Sequence, residues 1–295
     1  MNSSRPSELE RLAVALARGA SMELYLTPKP GLVDRLDNGS HPDLSVPLME
    51  QSIGIVNDYL REIVVSLRAD EPFICQRDIA IRAERRLYDE LGTNTHKGYI
   101  FLSGMLLIAR HHAAMPDETC VRESLSTISR AFFDTAGHTD SNGEKARRKY
   151  HAGGIVSEAV GGYPSLFDAA LPAFRAAFAR HECVTTAAFA MMARLMQCVD
   201  DTTTLHRAGP DGLRRIREDG RVLERLIADR GDFLGFLGLL NEDYKALNLT
   251  IGGVADMLGV AFGCLLASGE ISADSPLCNM LPVAPELSTG ELLAA

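Results

Sequence analysis

Residues 4–16 read Ser4-Arg5-Pro6-Ser7-Glu8-Leu9-Glu10-Arg11-Leu12-Ala13-Val14-Ala15-Leu16, and their pattern recurs along the whole chain. Leu9, Leu12, Ala13 and Leu16 are spaced three and four apart, which places them on one face of an α-helix. Ser4 and Pro6 stand ahead of that face as an expected cap and first-turn proline. Ser45 and Pro47 open a second helix in the same manner, and it is expected to run to about Arg68. A third is expected from about Gln76 to Glu90, stopping at Gly92, and a fourth from near Thr95, carrying Phe101, Met105 and Ile108. Further helical stretches are expected near 117–133, 165–180, 184–198, 210–229, 232–247 and 253–267. Strand-like alternation between turn signals is nearly absent, and the residues that abound, Ala and Leu, suit helices. The fold class this predicts is all-α: a single-domain multi-helix bundle over residues 1–272, followed by a loosely packed tail over 273–295.

Composition narrows the function classes. Apolar residues make up 46% of the 295, enough for a sizeable core, and charged residues at 23% do not suggest disorder. The formal net charge is −9 and no long Lys/Arg run interrupts it, which argues against a nucleic-acid partner. The most apolar stretch, Tyr99 to Ala109, is too short to span a bilayer, so no membrane partner is expected. Met1 to Pro6 lack the apolar core of a signal peptide, and the six cysteines show neither C-x-x-C nor zinc-ligand spacing. Both observations point to the cytoplasm, with the thiols idle in a reducing compartment.

Between the helices, segments 27–45, 92–98, 137–164, 199–210 and 248–256 gather Gly, Pro, Asn, Asp and His. In a helical protein such segments are either connectors or the loops that bear a site, here expected at one end of the bundle. Thr27-Pro28-Lys29-Pro30-Gly31 stiffens the backbone around a lysine, which suits a phosphate or is a plain surface turn. Gly92-Thr93-Asn94-Thr95-His96-Lys97-Gly98 precedes the apolar fourth helix, so Thr93, Asn94 or Thr95 can cap it. The exposed N–H groups there, with His96 and Lys97, can meet an anion, or the segment is an ordinary cap. Glu158 lies among Gly153, Gly154, Gly161 and Gly162, where backbone can approach a ligand. Asp200-Asp201 puts two carboxylates side by side after an apolar helix, a pattern for Mg²⁺ carrying substrate phosphates or for a helix cap. Gly252-Gly253 opens a helix with Asp256 one turn inside, as a dipole partner or a ligand.

Taken in order, Pro28-Lys29-Pro30-Gly31-Leu32-Val33-Asp34, Asn94-Thr95-His96-Lys97-Gly98, Glu158-Ala159, Asp201-Thr202 and Gly252-Gly253-x-Ala255-Asp256 resemble the signature blocks of the triphosphoribosyl-dephospho-CoA synthase family. The blocks stretch from about Glu23 to Leu265. Val156 and Thr203 depart from the family pattern, which has an arginine and an asparagine there. The resemblance implies an all-α transferase acting on ATP and 3′-dephospho-CoA. ATP would lose adenine, and its ribose C1 would join the 2′-hydroxyl of the acceptor. The product would be the prosthetic-group precursor for an acyl carrier of citrate lyase or malonate decarboxylase.

The same resemblance implies a site. His96, Glu158 and Asp201 are the expected catalytic residues, His96 as donor to the leaving base or to phosphate and Glu158 or Asp201 as general base. Lys29, Gly31, Asp34, Arg35, His41, Asn94, Thr95, Lys97, Thr202, Arg207, Gly252 and Gly253 are the expected substrate-binding residues. Asp200, Asp201, Glu158 and Asp256 are the expected Mg²⁺ ligands. Breaking an N-glycosidic bond develops oxocarbenium character, as in glycoside hydrolysis, and no motif calls for a covalent nucleophile. Direct displacement is the expected route. A homodimer is an admissible assembly.

Two competing readings stand beside this one. Asp200-Asp201-Thr202 is similar to the metal motif of ADP-ribosyl-glycohydrolases, which would make the protein a metal-dependent N-glycoside or phosphate-ester hydrolase. A catalytically silent nucleotide-binding homologue is the other.

Overall fold

The computed structural model describes residues 7–135, 141–272 and 274–275, and among them every regular element is helical. In chain order these are α1 (Glu8–Tyr25), α2 (Val46–Arg68), α3 (Phe73–Leu91), α4 (Lys97–His112), α5 (Glu118–Thr135), α6 (Asn142–Tyr150), α7 (Gly154–Val160), α8 (Leu171–His181), α9 (Val184–Cys198), α10 (Thr202–Ala228), α11 (Phe233–Ala246) and α12 (Gly252–Ala267). A π-helical turn, Ser165–Ala170, leads into α8. The expected tail from 273 onward falls almost entirely outside the described residues, as do Ser4 and Pro6.

Local chemistry explains most boundaries. The α1 cap is Ser7, whose hydroxyl accepts from the Glu10 N–H while the Glu10 carboxylate accepts from the Ser7 N–H. Pro47 lies in the first turn of α2, as expected, but Ser45 makes no side-chain cap bond. Gly92 ends α3 with φ 70°, a left-handed conformation that costs glycine nothing. Segment 137–164 holds two helices that apolar spacing does not announce. Ala146 is the one buried residue of α6, and its helix signals are the Ser141 cap and the basic last turn of Arg147, Arg148 and Lys149. Helix α10 begins at Thr202, well before the expected start near 210, because Asp201 caps a short first segment. Gly209, at φ 65° and ψ −165°, then breaks the helix immediately before Pro210.

One continuous apolar core draws on α1 through α5 and α7 through α12. Helix α12 packs against α1, α4 and α9 and is buried along most of its length. Its closest neighbour is α1. A Cβ added to Gly19 would lie 2.2 Å from the Gly259 carbonyl oxygen, and one added to Gly263 would lie 2.9 Å from the Leu16 Cα. Backbone meets backbone here, so Gly19→Ala should push the two helices apart. The expected cost is about 1–3 kcal/mol, read as a lower thermal midpoint; an unchanged midpoint would mean that this crossing relaxes freely. A small separate cluster of Ala146, Leu205 and Leu213, flanked by Tyr150 and Ala152, fastens α6 to α10. No helix among the described residues is long and apolar enough to cross a membrane.

Candidate active site

The loop after α1 is held from beneath by a buried ion pair. Lys29 is 1% exposed, and its Nζ donates to Glu23 Oε1 at 2.7 Å and to the carbonyl oxygens of Glu23 and Leu24 at 2.5 and 3.3 Å. An ammonium has three donors, and all three are used inside the protein. Lys29, expected to meet a phosphate, in this conformation ties the loop to the end of α1. Burial holds the Glu23 carboxyl above its ordinary range, against the downward pull of the Lys29 charge. Asp34 is likewise internal, accepting from the N–H groups of Lys29 and Leu36, each at 2.7 Å. Gly31 has φ 71°, and a Cβ there would meet the Leu249 carbonyl oxygen at 2.4 Å, so the loop presses directly on the turn before α12. Its N–H donates to Asn241 Oδ1 at 3.0 Å. Arg35 lies on the exposed side of the loop.

The start of α4 lies beside this ion pair. His96 occupies the N-cap position, and none of the expected caps Thr93, Asn94 or Thr95 is used in that way. The Asn94 carbonyl accepts from the Lys97 N–H at 3.2 Å, and the Thr95 hydroxyl points at Met49 Sδ, 2.9 Å away. His96 is 4% exposed, with Nδ1 2.6 Å from Ser52 Oγ. Burial, reinforced by the Lys29 charge, brings its pKa down to about 4. The imidazole is therefore neutral at ordinary pH and can offer a hydrogen bond rather than a loosely held proton. Lys97 turns outward and pairs with Glu84 Oε2 at 2.8 Å. A Cβ on Gly98 would lie 2.1 Å from Asp256 Oδ2, so the glycine makes room for that carboxyl. Burial and the neighbouring Glu23 and Asp201 carboxyls push Asp256 well above its usual range, while the Tyr99 N–H works the other way.

Asp201 joins two helix starts. Its Oδ1 accepts from the Thr203 and Thr204 N–H groups at 2.9 and 3.0 Å, capping α10. Its Oδ2 accepts from the Gly253 and Val254 N–H groups at 2.7 and 3.1 Å, in the first turn of α12. Burial pushes this carboxyl up and the four N–H groups pull it down. The Thr204 hydroxyl donates to the Thr250 carbonyl at 2.6 Å, closing the same junction. His41 completes it, with Nε2 2.8 Å from the Thr250 hydroxyl and Nδ1 3.2 Å from Arg207 Nη2. Burial and the Arg207 charge lower the His41 pKa to about 4. Arg207 also donates to the Ser40 carbonyl and to Asn248 Oδ1, at 2.8 and 3.2 Å. A Cβ on Gly252 would come within 3.2 Å of the Thr203 hydroxyl, another close approach at the junction.

The glycine-rich segment joins through Asp200 and Thr202. Asp200 accepts from Arg217 Nη2 at 2.5 Å and from the Gly153 N–H at 3.2 Å. A Cβ on Gly154 would lie 2.7 Å from the Thr202 methyl group. Glu158 accepts from both the N–H and the hydroxyl of Ser165, each at 2.8 Å, and burial raises its pKa.

The structure thus brings the segments around Lys29, His96, Asp201 and Gly252 into one junction and sets the Glu158 segment at its edge. Of the four carboxylates expected to hold Mg²⁺, Asp200 pairs with Arg217, Asp201 caps two helices and Glu158 accepts from Ser165, while Asp256 lies against Gly98; no group of three or more His, Cys, Asp or Glu side chains among the described residues could hold a metal ion. Sequence reasoning missed Glu23, Ser52, Thr250 and Arg217. Glu23 carried a signal, being a carboxylate in register with Leu16 and Ala20 on the apolar face of α1. The others carried none.

The comparisons with known proteins are consistent with this assembly of blocks. Residues 9–273 match the family described as ATP:dephospho-CoA triphosphoribosyl transferase. A 2-(5′′-triphosphoribosyl)-3′-dephosphocoenzyme-A synthase from Pectobacterium atrosepticum is 30% identical, over 84% of this chain and 86% of its own. Proteins named "Probable 2-(5′′-triphosphoribosyl)-3′-dephosphocoenzyme-A synthase" from Azotobacter vinelandii and Pseudomonas putida are 31% and 28% identical, over 87% and 88% of this chain and 91% and 96% of theirs. No solved structure matches the chain. Neither the hydrolase reading nor the silent-binder reading draws support from these relatives. A family match over almost the whole chain, on the same segments that the fold gathers into one junction, shows that this protein belongs to the ATP:dephospho-CoA triphosphoribosyl transferase family.

Proposed function

We propose that this protein transfers the 5-triphosphoribosyl group of ATP to the 2′-hydroxyl of 3′-dephospho-CoA and releases adenine, working in the cytoplasm where ATP is at hand. The observation that carries the reading is the junction at Asp201, where segments far apart in sequence meet within a family of that activity. In the reaction the bond between ribose C1 and the adenine nitrogen breaks, and a bond from C1 to the acceptor oxygen forms. The hydroxyl proton goes to a base, and adenine takes up a proton as it leaves.

The residues divide between these tasks as follows. Glu158, at the edge of the junction and partly buried, is the base toward the acceptor. Neutral His96 donates a hydrogen bond to the leaving base, and Asp256, against Gly98 and with its pKa pushed up by burial, is the proton donor. Asp201 positions the helix starts and touches no substrate. Asp200, Asp201 and Glu158 do not fit a resident Mg²⁺, since their oxygens already accept from backbone and side-chain donors, and Asp256 belongs to no group of three or more potential ligands among the described residues. Mg²⁺ in this reading arrives as part of the ATP complex, held mainly by the phosphates. Chelation should therefore abolish turnover while leaving the thermal midpoint of the substrate-free protein unchanged. A midpoint that falls on chelation would reveal a resident ion.

The decisive experiment uses ATP labelled on the γ-phosphate, with and without 3′-dephospho-CoA. Label should migrate to the acceptor at one adenine per label, and adenine should stay bound in ATP when the acceptor is omitted. Label released as phosphate, or adenine formed without acceptor, would sink the proposal.

A further inference from the structure

Ser52 stands on the buried face of α2, among Met49, Ile53 and Val56, and is 0% exposed. A serine inside a helix commonly returns its hydroxyl to the carbonyl one turn back. Ser103 on α4 does so, donating to the Tyr99 carbonyl at 2.6 Å. Ser52 does not. Its Oγ lies 2.6 Å from His96 Nδ1, and it has no other hydrogen-bond partner among the described residues. The histidine is held on other sides too. Its carbonyl accepts from the Ile100 N–H at 2.9 Å, and its ring meets Tyr99 edge-on, with centroids 6.1 Å apart. Tyr99 is itself tied down, its hydroxyl donating to the Leu16 carbonyl at 2.5 Å. His96 Nε2, by contrast, has no partner among the described residues, and it is not one of their enclosed polar atoms left unsatisfied, which are Ser129 Oγ and Arg217 Nε. Nε2 therefore belongs to the 4% of His96 that stays exposed.

A single hydrogen lies between Oγ and Nδ1, and its owner decides what Nε2 can do. A neutral imidazole carries one N–H, and a hydroxyl carries one hydrogen. With the ring hydrogen on Nδ1, Oγ would accept it, and the hydroxyl hydrogen of Ser52 would point into the core without an acceptor among the described residues. A buried donor left in that way is unfavourable. Nε2 would then be a bare lone pair, unable to donate. With the ring hydrogen on Nε2, Ser52 donates to Nδ1 and both groups are satisfied. The N–H that remains is the one at the exposed edge of the ring. Burial and the Lys29 charge keep the imidazole from taking a second proton. We infer that Ser52 is a positioning residue, whose hydroxyl holds His96 in the Nε2–H tautomer so that this N–H can donate to the leaving base. The choice of acceptor rests on the transferase reading; the choice of tautomer rests on the hydrogen-bond geometry alone.

The test compares the full-length wild type with Ser52→Ala by NMR, on protein carrying isotope-labelled histidine nitrogens. Among the eight histidines, His96 is the ring whose signals vanish in His96→Gln. Protonated and unprotonated ring nitrogens resonate far apart, so the spectrum names the tautomer. The wild-type ring should carry its hydrogen on Nε2. In Ser52→Ala, Nδ1 loses its donor, and the signals should move toward a mixture of tautomers or the Nδ1–H form. The kcat for adenine release should fall roughly tenfold, with the KM values for ATP and 3′-dephospho-CoA little changed, because the lost contact acts on the departing base. Ser52→Thr, which keeps the hydroxyl, should restore the tautomer and part of kcat. The inference is overturned by a wild-type ring protonated on Nδ1, by a Ser52→Ala ring that keeps the Nε2–H form, or by a shifted tautomer with an unchanged kcat. Each of those results leaves the transferase reading standing as long as adenine is released on acceptor. If the wild-type protein releases no adenine, that reading fails, and the spectra alone decide whether Ser52 sets the tautomer.

Discussion

Lys29→Met should destabilise the protein by about 3–5 kcal/mol, the usual effect of removing one partner from a buried ion pair. The lysine is 1% exposed, and its ammonium supplies the donors that satisfy Glu23 Oε1 and two carbonyl oxygens. Methionine fills similar volume but leaves Glu23 to stay charged in an apolar surround or to take up a proton. Either course is unfavourable relative to the pair. Two carbonyls also lose a donor, and the loop that carries Gly31 and Asp34 loses its anchor on α1. Urea unfolding would show the loss as a lower midpoint. Adding Glu23→Gln to Lys29→Met should recover part of it, because the unpaired carboxyl is then gone. An exposed lysine on a phosphate loop would behave differently, with ATP affinity falling and stability holding. That second pattern would mean that Lys29 leaves its enclosure to meet the substrate.

Asp201→Asn should lower stability and turnover together. Each carboxylate oxygen accepts from a pair of backbone N–H groups, one pair at the start of α10 and one at the start of α12. Asparagine replaces one oxygen with an NH₂ that confronts two donors. Two N–H groups then lose their acceptor in a buried setting, with an expected cost of about 2–5 kcal/mol. From the sequence alone, the adjacent carboxylates suggest metal chemistry, and the same substitution would then stop turnover with little effect on melting. Differential scanning calorimetry alongside an adenine-release assay separates the two accounts. A variant that melts like the wild type but does not turn over would return Asp201 to the chemistry and remove it from the scaffold.

The helical fold was legible because apolar spacing is local: Leu9, Leu12, Ala13 and Leu16 lie on one face whatever surrounds them. Helices held by other forces escaped that reading. Helix α6 has a polar sequence and is held by its cap, its basic last turn and a small contact with α10, none of which repeats with a helical period. The first segment of α10 depends on Asp201 and stops at Gly209, so its short run looks like a loop.

For the site, the sequence by itself determined the identity and order of the blocks, and with them the family and its chemistry. It could not determine where each charge goes. Lys29 and Asp201 belong to the motif blocks, yet the tertiary structure assigns one to a buried ion pair and the other to a double cap. The physical reason is burial. Whether a charged side chain meets water, a substrate or an internal partner depends on which distant backbone groups the fold brings against it. Glu23, Gly253 and Val254 reach those two residues only after α1, α10 and α12 have packed.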